Sequence, residues 1–430
     1  MGNSRQVIIG NSAAGLSAIK AIREIDRLCP ITLISAESCN AYSPVLLTYY
    51  LKQRLSREDL FIVDSDFYKV NGIKTIFGSK ATRVDPSRQV VYLENGQKVD
   101  YDNLLIATGA FPMSLDSSED VLANVFSLRT IEDAEKIAEC AKTAKEVIVI
   151  GAGLIGLQIV DALCRQGPKL TLIEWSEQVL PESVDAECAD LVQKEIESHG
   201  ISVLLNKRVK GIRKSGKKTA VISDSGEEWV ADMVIVGIGL KPNIQLVDNT
   251  GIEVNRGIVV DETIRTNINN VFAAGDVSEG EDLVTGNKKV LPNWINACKQ
   301  GRVTGSNMAG CQQSYEGGLS ETITTIFGLT VVGIGLPRAP KSNGLEELKF
   351  SDPERKSYRK ILLAGNRIMG AVLLGRTRDA GILRNLITNK KDVSPWKDGI
   401  ARAPMDMRRL LLSITAVEGF EAITSKRRRK

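Results

Sequence analysis

Two glycine-rich stretches carry the clearest chemistry in this chain. In Ile148-Val149-Ile150-Gly151-Ala152-Gly153-Leu154-Ile155-Gly156 an apolar strand runs into Gly-x-Gly-x-x-Gly and then into a helix. The first glycine allows the tight turn, the second lets a pyrophosphate approach the backbone, and the third lets helix and strand pack closely. Ile155 lies in the first helical turn, where free N–H groups and the helix dipole favour an anion. Glu174 ends the next strand, Leu170-Thr171-Leu172-Ile173, 23 residues beyond Gly151. A carboxylate there can accept both ribose hydroxyls of NAD(H) and repels a 2′-phosphate. The same pattern occurs earlier, in Val7-Ile8-Ile9-Gly10-Asn11-Ser12-Ala13-Ala14-Gly15, with Ser12 in place of the middle glycine. Ser35 follows Ile31-Thr32-Leu33-Ile34 at the position of Glu174, and Glu37 is the nearest carboxylate able to hold a ribose. A glycine turn in a phosphate-free α/β domain, and a plain surface role for Glu37, are the bland alternatives.

The elements that must position these residues form an internal repeat. Each glycine turn opens a βαβ unit, which requires parallel strands and a right-handed crossover. Each copy continues with short strands broken by a turn, Asn95-Gly96 in one and Ser225-Gly226 in the other. A buried strand then ends in glycine, Leu104-Leu105-Ile106-Ala107-Thr108-Gly109 and Val234-Ile235-Val236-Gly237-Ile238-Gly239. Val271-Phe272-Ala273-Ala274-Gly275-Asp276 belongs to neither copy. Its apolar run predicts a further strand in the first sheet, with Gly275 N–H and the Asp276 carboxylate at the sheet's carboxyl edge. From about residue 319, strand-like Thr330-Val331-Val332-Gly333 and Lys360-Ile361-Leu362-Leu363 precede helix-like stretches, which predicts an α+β domain.

Composition removes other chemistries. Of 430 residues, 43% are apolar and 25% charged, as in ordinary folded domains, and no run is apolar enough to span a membrane. The net charge is +4, but Lys426, Arg427, Arg428, Arg429 and Lys430 supply five positives, so the near-neutral body argues against nucleic acid as the main ligand. The seven cysteines are scattered without CxxC, which points to reduced thiols in a cytoplasm and to neither a disulfide framework nor a metal site. With His199 as the single histidine, no mechanism built on a histidine acid, base or metal cluster is expected.

The two glycine turns together with Gly275-Asp276 resemble the flavoproteins with two dinucleotide-binding domains, the pyridine nucleotide-disulfide oxidoreductase superfamily. That resemblance implies FAD in the first unit, held by Gly10, Ser12, Ala14, Gly15, Glu37, Thr108, Gly109, Gly275 and Asp276. It implies NAD(H) in the second, held by Gly151, Gly153, Ile155, Gly156, Glu174 and Gly239. Disulfide reductases of this superfamily carry CxxxxC in the first helix and a C-terminal His-Glu pair, and both are missing here. In the NADH oxidase, peroxidase and coenzyme A-disulfide reductase branch one cysteine follows the second strand. In the register of Ala41-Tyr42-Ser43-Pro44-Val45-Leu46-Leu47-Thr48-Tyr49-Tyr50, Val45 stands at that place and Cys39 lies six residues earlier.

The thiol-less segments Tyr42-Ser43-Pro44, Pro292-Asn293-Trp294 and Gln300 to Gly310 are similar to NADH-dependent rubredoxin reductase and nitrite reductase flavin units. With Leu386-Ile387 and Asp392-Val393-Ser394-Pro395-Trp396 they are more similar still to the flavoprotein subunit of NADH-linked phenylglyoxylate dehydrogenases. Gln158 replaces a glutamate that faces the nicotinamide in many relatives, and Pro44 replaces an arginine of the nitrite reductase units. The expectation is an α/β protein in which an NAD(H)-binding domain (116–242) is inserted in an FAD-binding domain (1–115 and 243–318). A C-terminal α+β domain (319–430) ends in a basic tail. The expected activity is FAD-dependent transfer of electrons between NAD(H) and an iron–sulfur partner, within a homo- or hetero-oligomer, with no catalytic side chain and no metal. An NADH oxidase or peroxidase, and a nucleotide-binding subunit without turnover, are the rivals.

Overall fold

A computed structural model describes residues 4–115, 123–338 and 344–400; the first three residues and the basic tail lie outside the described part. The contacts divide the chain into two compact units, residues up to Pro181 with Gln193–Ser320, and Glu182–Val192 with the residues from Glu321 on.

The first unit contains two five-stranded sheets of the same design. In the first, β1 (Gln6–Ile9) pairs in parallel with β2 (Ile31–Ser35), and β2 with β3 (Ile73–Phe77). On its other side β1 pairs in parallel with β7 (Asn103–Ile106), after an antiparallel meander of β4 (Ala81–Asp85), β5 (Val90–Leu93) and β6 (Lys98–Asp100). Every residue of β1 is buried, as both faces of a parallel sheet must be. Helix α1 (Ala13–Ile25) is the crossover between β1 and β2, and the short helices α2 (Leu47–Leu51) and α3 (Phe67–Val70) lie between β2 and β3.

The second sheet repeats this plan. β10 (Glu146–Ile150) pairs in parallel with β11 (Lys169–Ile173) and with β16 (Met233–Val236), and β11 pairs with β12 (Ser202–Leu204). Helix α5 (Leu154–Cys164) is its first crossover, and β13 (Val209–Ser215), β14 (Lys218–Ser223) and β15 (Glu228–Ala231) form its meander. Both meanders turn where expected, with Gly96 at φ 82° and Gly226 at φ 87°, in the left-handed region that favours glycine. The fifth strands come from opposite directions along the chain. The second sheet takes β9 (Val125–Phe126), from before its first strand and followed by α4 (Ile131–Ala141). The first takes β19 (Val271–Ala273), which pairs in parallel with β7 as its sequence predicted. Two short strands carry the chain out of the first copy and back, β8 (Ala110–Pro112) and β17 (Leu240–Pro242), and they pair with each other.

Beyond β17, β18 (Ile258–Val259), β20 (Ser278–Glu281) and β21 (Lys288–Lys289) form a small sheet that precedes α7 (Trp294–Met308). Helix α7 packs on α1 at backbone distance: a Cβ on Gly301 would lie 2.2 Å from Ala14 O and one on Gly305 2.3 Å from Ala18 O.

The second unit is an antiparallel sheet, ordered β22 (Glu321–Ile326), β23 (Leu329–Gly335), β26 (Arg367–Leu374), β25 (Ser357–Ala364) and β24 (Glu346–Asp352), with α8 (Ala380–Thr388) after it. Its buried charges are paired, as desolvated ions must be. Lys360 Nζ lies 2.9 Å from Glu347 and 3.3 Å from Asp185, Tyr358 donates to Asp185 at 2.6 Å, and Arg359 pairs with Asp379. Asp185 belongs to the segment Glu182–Val192, which leads into and includes the first half of α6 (Ala186–Ser198). Among the described residues, no helix is long and apolar enough to cross a membrane.

Candidate functional site

The turn of the second copy separates what the chain requires from what a ligand would require. Gly151 has φ 101°, and a Cβ there would sit 2.3 Å from Gly237 O. A Cβ on Gly156 would sit 1.9 Å from Gly151 O. Both glycines are therefore demanded by the fold itself. Gly153 is different: nothing in the protein lies within 4 Å of its would-be Cβ. It is also the N-cap of α5, and no side chain caps that helix, so the first N–H groups face open space at the carboxyl edge of the sheet. Ile155, in the first turn of α5, is 37% exposed. Glu174 follows β11 and is buried. Its Oε2 accepts the Ala152 N–H at 2.6 Å and its Oε1 the Ser176 N–H at 2.8 Å, so the carboxylate braces the turn while retaining lone pairs for further donors. Gly239, φ 118°, precedes β17, and its carbonyl accepts Met113 N–H at 3.0 Å.

The first copy has the same outer constraints. Gly10 has φ 122°, its Cβ would lie 2.1 Å from Ala107 O, and a Cβ on Gly15 would lie 2.0 Å from Gly10 O. Ser12 is the N-cap of α1 but its side chain makes no capping bond, so these N–H groups also remain open. The turn is braced by Asn11 instead of a strand-end acid. Asn11 Oδ1 accepts from Tyr68 Oη at 2.7 Å, and Asn11 Nδ2 donates to Cys39 O at 3.3 Å. Glu37 is exposed on the loop after β2 and accepts from Tyr42 Oη at 2.8 Å.

The other expected residues gather at this edge. Thr108 Oγ1 donates to Asn243 O at 2.8 Å, and a Cβ on Gly109, φ 68°, would lie 3.1 Å from Arg129 Nη2. Ala14 is buried beneath Gly275, φ 83°, whose Cβ would lie 3.3 Å from Ala14 Cβ. Asp276 Oδ2 lies 3.4 Å from Arg129 Nη2, with side chains 18% and 30% exposed. Burial pushes the Asp276 carboxyl up, and Arg129 opposes that shift.

Arg129 is not singled out by the sequence, and Gln300 only as the first residue of a similar segment, without a role. Arg129 lies on the connection between β9 and α4, 147 positions from Asp276. Gln300, on α7, takes the Gly275 N–H at 2.7 Å and the Ser278 hydroxyl at 3.0 Å on its Oε1, and so sets the turn that presents Asp276. Only the run of glycines around Gln300 hinted that α7 meets α1 closely.

No activated thiol is evident at the position where the oxidase branch keeps one. Val45 lies in the short turn Pro44–Leu46 ahead of α2 and is 53% exposed. The Cys39 thiol is pushed up by burial and, secondarily, by Glu37, which keeps it protonated and a poor nucleophile. His199 follows the last residue of α6, with its Nδ1 2.8 Å from Glu195 O. The residues present therefore suit two dinucleotides: two uncapped helix N-termini, an open middle position in one turn, and a carboxylate on or near each sheet edge.

Comparison with known proteins agrees. Residues 322–391 match the rubredoxin NAD+ reductase C-terminal domain. The chain is 28% identical over 417 residues to the NADH-dependent phenylglyoxylate dehydrogenase subunit epsilon of Aromatoleum evansii, covering 96% of this chain and 98% of that one. It is 29% identical over 403 residues, 93% of its length, to an assimilatory nitrate reductase electron transfer subunit of Bacillus subtilis (strain 168), and spans only about half (51%) of that relative. Its fold is that of the reductase in the crystal structure of the covalent putidaredoxin reductase-putidaredoxin complex, at TM-score 0.89 and 24% identity, covering 97% of this chain and 100% of that one. Residues 4–301 match the family described as pyridine nucleotide-disulphide oxidoreductase, and the chain belongs to that family as an FAD- and NAD(H)-dependent oxidoreductase.

Proposed function

We propose that this protein moves electrons between NAD(H) and an iron–sulfur partner protein, with FAD in the first βαβ copy and NAD(H) in the second. In this reading residues 1–115 and 243–318 bind FAD, 116–242 bind NAD(H), and 319–430 form an interface domain. What carries it is the pair of uncapped helix N-termini at the carboxyl edges of two equivalent sheets, with Val45 where a redox thiol would stand. FAD held there would supply two-electron hydride uptake and one-electron release, which suits an iron–sulfur acceptor.

The chain's own residues supply placement. The α1 N-terminus with Ser12 would receive the FAD pyrophosphate, Arg129 would neutralise it, and Asp276 would accept ribityl hydroxyls. Glu37 would take the adenosine ribose. In the second copy the α5 N-terminus would receive the NAD(H) pyrophosphate, approached closely at Gly153, while Glu174 would accept ribose hydroxyls. No side-chain acid or base is required, which fits a chain with one histidine placed at a helix end. A cytoplasmic flavoprotein subunit of a 2-oxoacid dehydrogenase, assembled as a homo- or hetero-oligomer, is the setting most consistent with the full-length similarity to the phenylglyoxylate enzyme subunit.

Purification from the native host tests this directly. The expected result is co-purification of iron–sulfur subunits that the flavoprotein reduces with NADH under anaerobic conditions. NADH consumption that depends on O2 or peroxide and fails with every co-purified iron–sulfur protein would overturn it.

A further inference from the structure

A buried ion pair joins the two copies where neither needs one for its own fold. Lys52, the C-cap of α2, lies with its Nζ 2.5 Å from Asp161 Oδ2 on α5, and both side chains are only 9% exposed. Gln166, just past α5, reinforces the contact by donating to Leu51 O at 2.9 Å, the carbonyl of the last residue of α2. At the rim, Arg57 Nε lies 2.8 Å from Glu135 on α4, with both side chains more than 40% exposed. Desolvating an ammonium and a carboxylate costs several kcal/mol, and a packed apolar pair would join two helices at least as stably. What an ion pair adds is direction and a single register.

Helical spacing shows what that register controls. On α5, Asp161 shares a face with Gln158 and Leu154, three and seven residues earlier, and that face ends at the Gly151–Gly156 turn. On the other side, Lys52 caps α2 one turn after Thr48. Thr48 is buried with its Oγ1 unpartnered. Asp161 thus lies about two turns, or roughly 10 Å, along α5 from Leu154, where the nucleotide turn opens into the helix. A slide or rotation of α5 at Asp161 is transmitted to the turn, and misplacement by about 1 Å can cost on the order of 100-fold in a positioned reaction.

We propose that Lys52 and Asp161 are positioning residues whose buried pair pins α5 to α2 and so sets the nicotinamide site in register with the flavin site. This rests on the two-nucleotide function proposed above. Three variants test it: Lys52→Met, Asp161→Leu, and the double variant, which replaces the pair with apolar side chains. Melting temperature and flavin content report folding. Anaerobic stopped-flow bleaching of the flavin over a range of NADH concentrations separates the limiting rate from nucleotide affinity. Hydrogen exchange of the protein without added NADH reports the α5 N-terminus independently of turnover.

The single variants, each leaving one buried charge unpaired, should melt lower. The double variant should regain the wild-type melting temperature, yet lose at least tenfold in limiting bleaching rate with less than a threefold change in half-saturating NADH. Amides 157–160 in it, which begin the helix's own hydrogen-bond ladder, should exchange at least tenfold faster. A double variant with wild-type rate and wild-type exchange would overturn the proposal, leaving the pair as packing. Should the double variant not fold, Asp161→Glu, which keeps the charge and displaces it by one methylene, should lower the limiting rate at unchanged melting temperature; no change in rate would again refute it. If wild-type flavin is not bleached by NADH at all, the proposed function fails, and the exchange result alone decides whether the pair is a pin.

Discussion

The two βαβ copies show which parts of a dinucleotide-binding turn belong to the fold and which belong to the ligand. Their outer glycines are equivalent. Gly10 and Gly151 both have φ above 100°, and the would-be Cβ atoms of Gly15 and Gly156 lie within about 2 Å of the carbonyl oxygens of Gly10 and Gly151. The copies diverge at two places, one where only a ligand would object and one that also braces the turn. The middle position is Ser12 in one and Gly153 in the other, with no protein atom near the latter. The strand-end position is Ser35 in one and Glu174 in the other, and each copy braces its turn with what it has, Asn11 through Tyr68 and Cys39 O, or Glu174 through Ala152 and Ser176 N–H. An outer glycine is thus evidence for the turn, the middle residue is evidence for what the turn holds, and the strand-end residue serves both.

That division predicts a graded series of effects. Gly156→Ala should be the most damaging change, since its Cβ would meet Gly151 O at 1.9 Å; a loss of at least roughly 3 kcal/mol, or failure to fold, is expected in thermal melts. Gly153→Ala provides the contrast, with an almost unchanged melt before nucleotide is added and NADH affinity reduced tenfold or more. Equal melts for the two variants would erase the distinction between outer and middle glycines.

Glu174→Ala should come next. It orphans two backbone N–H groups at about 1–3 kcal/mol each, and it should narrow the preference for NADH over NADPH. Equal kcat/KM for the two nucleotides in the wild type would contradict the role given to Glu174.

Asp276→Asn should have a smaller, pH-dependent effect. Burial raises the folded-state pKa of Asp276 above the unfolded value of about 3.9, so ionisation destabilises the folded protein as pH rises through the folded value. Flavin-free Asp276→Asn should therefore melt higher than wild type at pH 7, the difference closing as pH falls toward about 4, while flavin retention after dialysis declines. A variant that keeps flavin as well as wild type would remove Asp276 from the FAD site.

Ser12→Gly should matter least. Its side chain caps nothing, and serine to glycine at an N-cap changes stability by only a few tenths of a kcal/mol, so a shift of several degrees in melting temperature would show that the first turn is braced differently from this account.

The parts of the structure legible from sequence are those whose cause is local. Gly10, Gly15, Gly151 and Gly156 announce the turns because no other residue fits, and the apolar run Val271–Ala273 announces a buried strand that β7 then receives. The paired meanders follow from Asn95-Gly96 and Ser225-Gly226. What stayed hidden depends on residues far apart in the chain. Gln300 organises Gly275 by a side-chain oxygen, Arg129 reaches Asp276 across 147 positions, and Lys52 meets Asp161 across 109. A lone polar residue in an apolar neighbourhood does not name its partner. The same holds for Asp185, whose bonds to Tyr358 and Lys360 draw Glu182–Val192 into the C-terminal unit.

Reducing equivalents are expected to reside on flavin alone, with Val45 in the thiol position and Cys39 a protonated bystander. Anaerobic absorbance titration with NADH tests this most directly, in the wild type and in Cys39→Ser. One equivalent of NADH per FAD should bleach the flavin completely in both, with no long-wavelength thiolate–flavin band and no further consumption. Uptake of a second equivalent in the wild type that disappears in Cys39→Ser would contradict the account and place a thiol relay between the nucleotide and the acceptor.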